Sequence, residues 1–373
     1  MVVHFSRTLS CSNALVQWSP NGQFMAHVTQ TRLTIRHADS LAVMANQVVD
    51  DDIGSLCWAP DSEFLAVGVP SLGLVHVFSP FNSDWTAKIT QGAMGLSGIL
   101  FSADSRHVLV WAPFFVSLTI WSLTSRKVKF IEHPKRFASG PDGALMAVVE
   151  KAQSGESLAW YRCSDWHLVK RVAPAIGDIE DLTWSPKSDS LVVWSGSLHY
   201  ALQVFSDRGV SQFLFQKNTL ELGIQIAQFS PCGQLLHMGT CDGRIRVFNT
   251  LNWTLVDDLE LGPEINGSHT ECVVYEESDR PVRSVDGQVI QDLLNLKETQ
   301  VVVVKSRPVM LSEIPVDVRK PNPRIGIQAM AQSDDGFFLA VRKKSCPCVV
   351  FIWNLEELQL RSVFVCQSPA KRF

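Results

Sequence analysis

The sequence predicts an all-β fold, a β-propeller of about seven to eight blade units, and three observations predict it. A turn-centred motif recurs at the interval of one blade. Each copy is followed by a second apolar strand that closes on a bulky residue. The distance between turn and bulky residue leaves room for a strand, a hairpin and another strand, but for no helix.

The first copy is Val16-Gln-Trp18-Ser-Pro20-Asn21-Gly22-Gln-Phe24-Met25-Ala26, and Leu56-Cys-Trp58-Ala-Pro60-Asp61-Ser62-Glu-Phe64-Leu65-Ala66 repeats it. Further copies centre on Asp104-Ser105, Asp142-Gly143, Lys187-Ser188, Cys232-Gly233 and Asp335-Gly336. With the residue before that Gly or Ser as register, the anchors stand at 21, 61, 104, 142, 187, 232 and 335, and the intervals are 40, 43, 38, 45, 45 and 103. Five of them match a propeller blade of roughly 40–45 residues. In a turn such as Ser-Pro-Asn-Gly, Pro sets φ at the first corner and Gly takes the corner that needs positive φ.

The second strands are Leu33–Ile35, Val75–Phe78, Leu118–Trp121, Leu158–Tyr161, Leu202–Phe205, Ile245–Phe248 and Val350–Trp353. From the second copy on, the bulky residue follows its anchor by 17, 17, 19, 18, 16 and 18 residues. Asp242-Gly243 before Arg244-Ile-Arg-Val247 is a two-residue hairpin turn. Strands such as Phe64–Val69 are apolar on both faces, as expected where neighbouring blades cover each side. This is a propeller of WD-repeat type.

A third recurrence opens the stretch after the second aromatic: Asp84-Trp85-Thr, Asp165-Trp166-His and Asn252-Trp253-Thr. Trp85, Trp166 and Trp253 are candidate interaction residues if their rings form a docking surface. The simpler reading is that each ring covers the outer edge of its blade. Lys135 and Arg136, in His133-Pro-Lys-Arg, form a small basic cluster and complete the candidate protein-interaction residues.

Residues 1–261 therefore hold blades one to six, and 321–373 a further blade with the start of another. Between them 262–320 breaks the period, bounded by Gly262-Pro263 and Pro321-Asn-Pro323. It holds acidic Glu276-Glu277-Ser-Asp279, a helical spacing over Val289–Leu296 and a strand at Gln300–Lys305. It is either a long surface loop or a degenerate blade carrying an insertion. A propeller that does not close exposes strand edges, and self-association through them is expected.

Composition narrows the function. Of the residues 46% are hydrophobic and 19% charged, which excludes disorder along most of the chain. A net charge of −4 and pI ≈ 6.2 speak against a dedicated nucleic-acid binder. Nine scattered cysteines fit reduced thiols rather than a secreted disulfide framework, and Cys346-Pro-Cys348 lacks the second pair that zinc needs. The N-terminus carries no apolar signal region and no stretch is long enough to span a bilayer, so a soluble intracellular protein is expected. Nucleophile elbow, phosphate loop, zinc-protease and kinase motifs are all absent, and ten histidines are dispersed. His76 and His107 lie on strands, where a structural role is expected. The Asp50-Asp51-Asp52 run reads as a solvated loop. No enzyme activity, catalytic residue, metal, cofactor, small-molecule substrate, nucleic acid or membrane insertion is implied.

Several stretches resemble one family in particular, the centrosomal and spindle-pole WD-repeat proteins known as WD-repeat-containing protein eight. They include Gly73-Leu-Val-His-Val-Phe-Ser79, Cys163-Ser-Asp-Trp166, Leu222-Gly-Ile224, Asp242-Gly-Arg-Ile-Arg246, Val273-Val-Tyr275 and Asn322-Pro-Arg-Ile-Gly-Ile327. The match runs in order along essentially the whole chain, except Val282 to Thr299. The resemblance implies a non-enzymatic scaffold in the cytoplasm and cytoskeleton, at centrosomes and spindle poles. Its implied partners are a coiled-coil microtubule-anchoring protein, other centrosomal proteins and a minus-end kinesin. The implied roles are minus-end anchoring, spindle assembly and cilium formation. The family continues through roughly two further blades, so a propeller incomplete at its C-terminus is expected. A generic adaptor in ubiquitin ligation or trafficking is the alternative. The Trp-Asp-x-Arg signature of ligase adaptors is missing, since Trp121-Ser-Leu, Phe248-Asn-Thr and Trp353-Asn-Leu stand in its place.

Overall fold

Tight turns and apolar strands dictate the local structure. The computed structural model describes residues 11–12, 15–82, 84–92, 95–152, 155–217, 222–266, 272–281, 297–317, 319 and 325–369. The helical spacing over Val289–Leu296 lies outside them, as do Asn322, Pro323 and Arg324 of the Asn322–Ile327 motif. The chain divides into two compact units, Met1–Pro174 and Ala175–Phe373.

The first unit holds four blades, each a four-stranded antiparallel meander. They are β1–β4 (Val16–Trp18, Phe24–Thr29, Arg32–His37, Val43–Val48) and β5–β8 (Ser55–Trp58, Leu65–Val69, Leu74–Phe78, Thr86–Thr90). Next come β9–β12 (Gly98–Phe101, His107–Trp111, Ser117–Ser122, Val128–Glu132) and β13–β16 (Pro134–Ser139, Leu145–Ala152, Gly155–Arg162, His167–Val172). The second unit continues with β17–β20 (Ile179–Trp184, Ser190–Ser195, Ala201–Ser206, Ser211–Gln216) and β21–β24 (Ile224–Phe229, Leu235–Thr240, Arg244–Asn249, Thr254–Glu260). Then follow β25 (Glu264–Ile265), β26 (Val273–Pro281), β27 (Lys297–Val304) and β28 (Val309–Met310), and the last blade β29–β32 (Ile327–Gln332, Phe338–Lys343, Val349–Asn354, Gln359–Val365). Seven blade sheets of β-propeller type are thus present among the described residues.

The recurrent turn forms as its residues require. Positive φ falls on Gly22, Ser62, Ser105, Gly143, Ser188, Gly233 and Gly336, one residue after each anchor. The anchor's side chain explains why Asn and Asp dominate there. Asn21 Oδ1 accepts the Gln23 N–H at 3.0 Å, and Asp61, Asp104, Asp142 and Asp335 accept the equivalent N–H at 2.9, 2.8, 3.1 and 3.0 Å. The serine two residues earlier closes the turn by taking the N–H five positions on, Phe24 to Ser19 at 2.9 Å and Phe338 to Ser333 at 2.9 Å.

The same corner ties blades together. Ser62 Oγ accepts the Asn21 N–H and Ser105 Oγ the Asp61 N–H, each at 3.1 Å. Gly143 stands against Ala103 of the preceding blade, where an added Cβ would lie 2.4 Å from the Ala103 methyl, whereas nothing lies within 4 Å of one added at Gly22. Gly22→Ala is therefore expected to cost about 1 kcal/mol, the left-handed penalty alone, and Gly143→Ala about 2 kcal/mol because the methyl must also displace its neighbour. Urea denaturation of the two variants checks the difference; equal losses would show that the blades do not meet at this corner.

The second strand of the four-stranded meander is deeply buried: all of Leu65–Val69 in β6 is buried, as are Leu191–Val193 in β18 and Leu339 with Val341 in β30. In five blades the third strand meets the outer strand through a bulge that falls at the closing bulky residue or next to it, at Ile35/Arg36, Trp160/Tyr161, Val204/Phe205, Val247/Phe248 and Ile352/Trp353. Such bulges strengthen the local twist a blade needs.

The longer described strands of the segment that breaks the period extend the sheet of the last blade. β26 and β27 form an antiparallel hairpin, and β26 adds in parallel to outer strand β32, giving the sheet order β27-β26-β32-β31-β30-β29. Tyr275 of β26 stacks on Phe364 of β32, with ring centroids 4.8 Å apart. β27 is the end strand of that sheet, and Val301, Val302 and Val303 are 57%, 40% and 46% exposed. An apolar edge strand is a template for another strand. Val302→Lys is expected to raise the monomer fraction at high concentration, read by light scattering; an unmodified chain that is monomeric throughout would show that this edge does not self-associate.

Candidate interaction site

The hairpin between β10 and β11 carries the most exposed of the aromatic rings among the described residues of the first unit. Pro113 sets φ at its start, and Phe114 and Phe115 both take positive φ, at 58° and 52°. Positive φ on bulky residues is strained, and such residues gather at binding sites. Phe114 is 97% exposed. The recurrent sequence motifs single out no residue of this turn. The signal that reveals it is two aromatics inside a hairpin turn, where Gly, Asn and Asp are the usual residues.

Facing that hairpin is the link from β12 into β13. His133 also has positive φ, 49°, and its backbone N–H donates to Val116 O at 3.1 Å, joining the two loops. The pairing of β13 with β14 shifts between Pro134, opposite Glu150, and Arg136, opposite Val149, so Lys135 is the extra residue of a bulge. A bulge re-aims side chains that would otherwise alternate. Here Lys135 and Arg136 both line one concavity of about 690 Å³, together with Phe114, Phe115, Val116, His133, Pro134 and Lys151.

Its charges are held in defined geometry. Lys135 Nζ lies 2.7 Å from Glu156 Oε1, and the Arg136 guanidinium lies 5.6 Å from the centroid of the Phe115 ring. Lys151 sits across the β14–β15 pair from Glu156 and is exposed. Glu150, its chain neighbour, serves the blade instead. Its carboxylate accepts the Tyr161 hydroxyl at 2.6 Å and meets Arg171 at 2.7 Å, and burial with this bond pushes the Tyr161 hydroxyl well above the ordinary tyrosine range. Lys135, Arg136 and Lys151 thus line one concavity, and Glu156 pairs with the first of them.

The tryptophans do not join this site. Trp166 is only 4% exposed: it occupies the left-handed corner of the β15–β16 turn, φ 56°, and its ring packs edge-on to His107 at 5.6 Å within the core shared by β9–β12 and β13–β16. A ring so placed offers no docking surface. Trp253 takes the same corner of the β23–β24 turn, φ 55°, and is half-buried on Phe213. Trp85 lies 4.6 Å from Phe64 and lines a separate groove of about 430 Å³ with Trp121, Lys88 and Arg126.

Other residues singled out in the sequence are held structurally. His107 Nδ1 lies 2.8 Å from Asp104 Oδ2, while burial holds the His76 ring below the usual histidine range. Asp50 pairs with Lys88 at 3.0 Å and Asp51 accepts the Ser71 hydroxyl at 2.7 Å. Cys346 is buried with its thiol 3.4 Å from Glu313 Oε1, and burial pushes it up to about 11. Among the described residues no three His, Cys, Asp or Glu side chains converge as a metal centre would require.

No family model matches the chain. It is 30% identical to the mouse WD repeat-containing protein WRAP73, a match covering all of this chain and 82% of that one. An uncharacterised WD repeat-containing protein of Schizosaccharomyces pombe is 21% identical over 97% of this chain and 72% of its own length. Among solved structures, KlHsv2 with loop 6CD replaced by a Gly-Ser linker superposes with a TM-score of 0.53 at 13% identity, covering 94% of this chain and 96% of that one.

Proposed function

Because the chain belongs to the WD-repeat protein family, we propose that it is a non-enzymatic scaffold of centrosomes and spindle poles. It holds a coiled-coil microtubule-anchoring protein there and so helps to anchor microtubule minus ends, assemble the spindle and form cilia. The observation that carries the scaffold reading is the similarity to a WD repeat-containing protein along the whole chain. The centrosomal part is supported by stretches outside the repeat consensus, Cys163-Ser-Asp-Trp166 and Leu222-Gly-Ile224 among them. Blades present loops from several repeats on one surface, and such surfaces take extended or helical segments of other proteins.

The test is affinity purification of the tagged chain from mitotic cells, with mass spectrometry of the eluate and imaging of the tag. The expected result is recovery of a coiled-coil centrosomal protein and signal at spindle poles. A tag spread evenly through the cytoplasm, with components of a ubiquitin ligase or a vesicle coat recovered instead, would overturn the centrosomal assignment.

A further inference from the structure

β31 and β32 pair antiparallel with Val349 opposite Val365, so the next residues out, Cys348 and Cys366, stand opposite each other. The Cys366 N–H donates to Cys348 O at 2.8 Å, which holds them in that register. Residues directly opposite on antiparallel strands send their side chains to the same face. We propose that Cys348 and Cys366 are a redox pair. They close a reversible disulfide by exchange with a low-molecular-weight disulfide of the glutathione class, and this bond fastens the added β26–β27 hairpin to the last blade.

The strand spacing suits the bond. A hydrogen-bonded cross-strand pair holds its Cα atoms about 5.5 Å apart, inside the roughly 4.4–6.8 Å that a disulfide spans. Both thiols are free and only half-buried, so a small reagent can reach them. The two groups also act on each other. The Cys366 thiol is raised above the usual cysteine range first by burial, then by the Glu277 carboxylate and by Cys348 itself. Cys346, two positions before Cys348, is not the partner: it is buried in the core of the last blade, and its thiol donates to Glu313 Oε1 at 3.4 Å.

The exchange needs no other oxidant. One protein thiol, as its thiolate, attacks a sulfur of the reagent; the reagent's S–S bond breaks and one small thiol leaves with a proton. The second protein thiolate then attacks the protein sulfur of the mixed disulfide, and the other small thiol leaves. Each cysteine has lost one hydrogen, and both hydrogens end on the reagent. Placement gives the bond its consequence. Val365 pairs with Glu276 of β26, and the Gln367 N–H donates to Glu277 Oε2 at 2.8 Å, so the hairpin is attached on both sides of Cys366. Tying Cys366 to Cys348 anchors that attachment to β31 and suppresses the fraying of a strand end.

The test incubates the full chain with reduced and oxidised glutathione in varied ratio, blocks the remaining thiols by alkylation and maps an unreduced tryptic digest by mass spectrometry. Trypsin leaves Cys346 and Cys348 in Ser345–Arg361 and Cys366 in Ser362–Lys371, and fragmentation tells which sulfur is joined. A pair of peptides linked through Cys348 and Cys366, lighter by two hydrogens, is expected to accumulate as the oxidised form rises and to vanish with dithiothreitol. Cys348→Ser and Cys366→Ser are each expected to abolish the link. Cys232→Ser, which removes an exposed thiol of another blade, is expected to leave it intact. Amide exchange in β26 is expected to slow in the linked chain.

Glutathione left on either cysteine without a link, a link through Cys346 instead, or two separately alkylated thiols at the most oxidising ratio would overturn the pair. Equal amide exchange in β26 of the linked and reduced chains would overturn the fastening.

Discussion

Trp166→Ala is expected to cost about 4 kcal/mol of stability, the usual loss when a buried indole is truncated and its neighbours cannot close the space. The ring is 4% exposed and sits among Leu109, Leu118, Ile131, Met146 and Tyr161. Those residues come from both sheets that flank it, so the cavity would open where two blades share a core. Trp166→Phe keeps most of the volume and is expected to cost less than half as much. Trp253→Ala, at a half-buried ring, falls between them. Denaturant midpoints of the three variants check the order. If Trp166→Ala left the midpoint unchanged while weakening a partner, the indole would be a docking residue and its packing role would be wrong.

His237 sets the second large effect. It lies fully buried in β22, and burial pushes its ring down to about 4, against a smaller upward pull from the Gln228 backbone. In the unfolded chain the same ring titrates near 6.5. Between these values the unfolded state binds the proton and the folded state does not, so stability falls as pH falls. The contribution is fully present above about 6.5 and fully lost below about 4. It amounts to roughly 3 kcal/mol, since each pH unit in that window changes the folding free energy by about 1.4 kcal/mol. His237→Leu should flatten the curve across that window relative to wild type. The difference between the two curves isolates this residue from carboxylates that titrate over the same range. A parallel pair of curves would mean that the ring is not held neutral by burial.

How much of this was legible depends on the distance over which each feature is decided. The turns were legible because their causes lie within a few residues. Asn21, Asp61, Asp104, Asp142 and Asp335 each cap an N–H two positions on, and the next residue takes positive φ. The Asp-Trp and Asn-Trp recurrences were visible for a similar reason, since Trp166 and Trp253 sit at a left-handed corner beside an Asp or Asn that bonds locally. Whether such a ring faces solvent or core depends on the neighbouring blade, which no local pattern encodes.

The interaction site was half legible. Lys135 and Arg136 stood out as a basic pair, but a strand should send adjacent side chains to opposite faces, and only the bulge at Lys135 brings both to one space. Phe114 and Lys151 join them from separate hairpins. The added hairpin was less legible still. A strand at Gln300–Lys305 could be read from its valines, yet the parallel pairing of β26 with β32 joins residues about ninety positions apart and leaves no periodic trace.

What the sequence by itself determined is therefore the repeat: where each turn lies, how four strands follow one another, and which strands are buried on both faces. Backbone stereochemistry and apolar patterning act over a few residues, so the chain states them directly. The tertiary structure alone decided which rings are covered and which are offered, that Trp166 is core and Phe114 is surface, and where the three cations gather. Those outcomes depend on which side chain of one blade meets which of the next, and burial and electrostatics are settled only by that meeting.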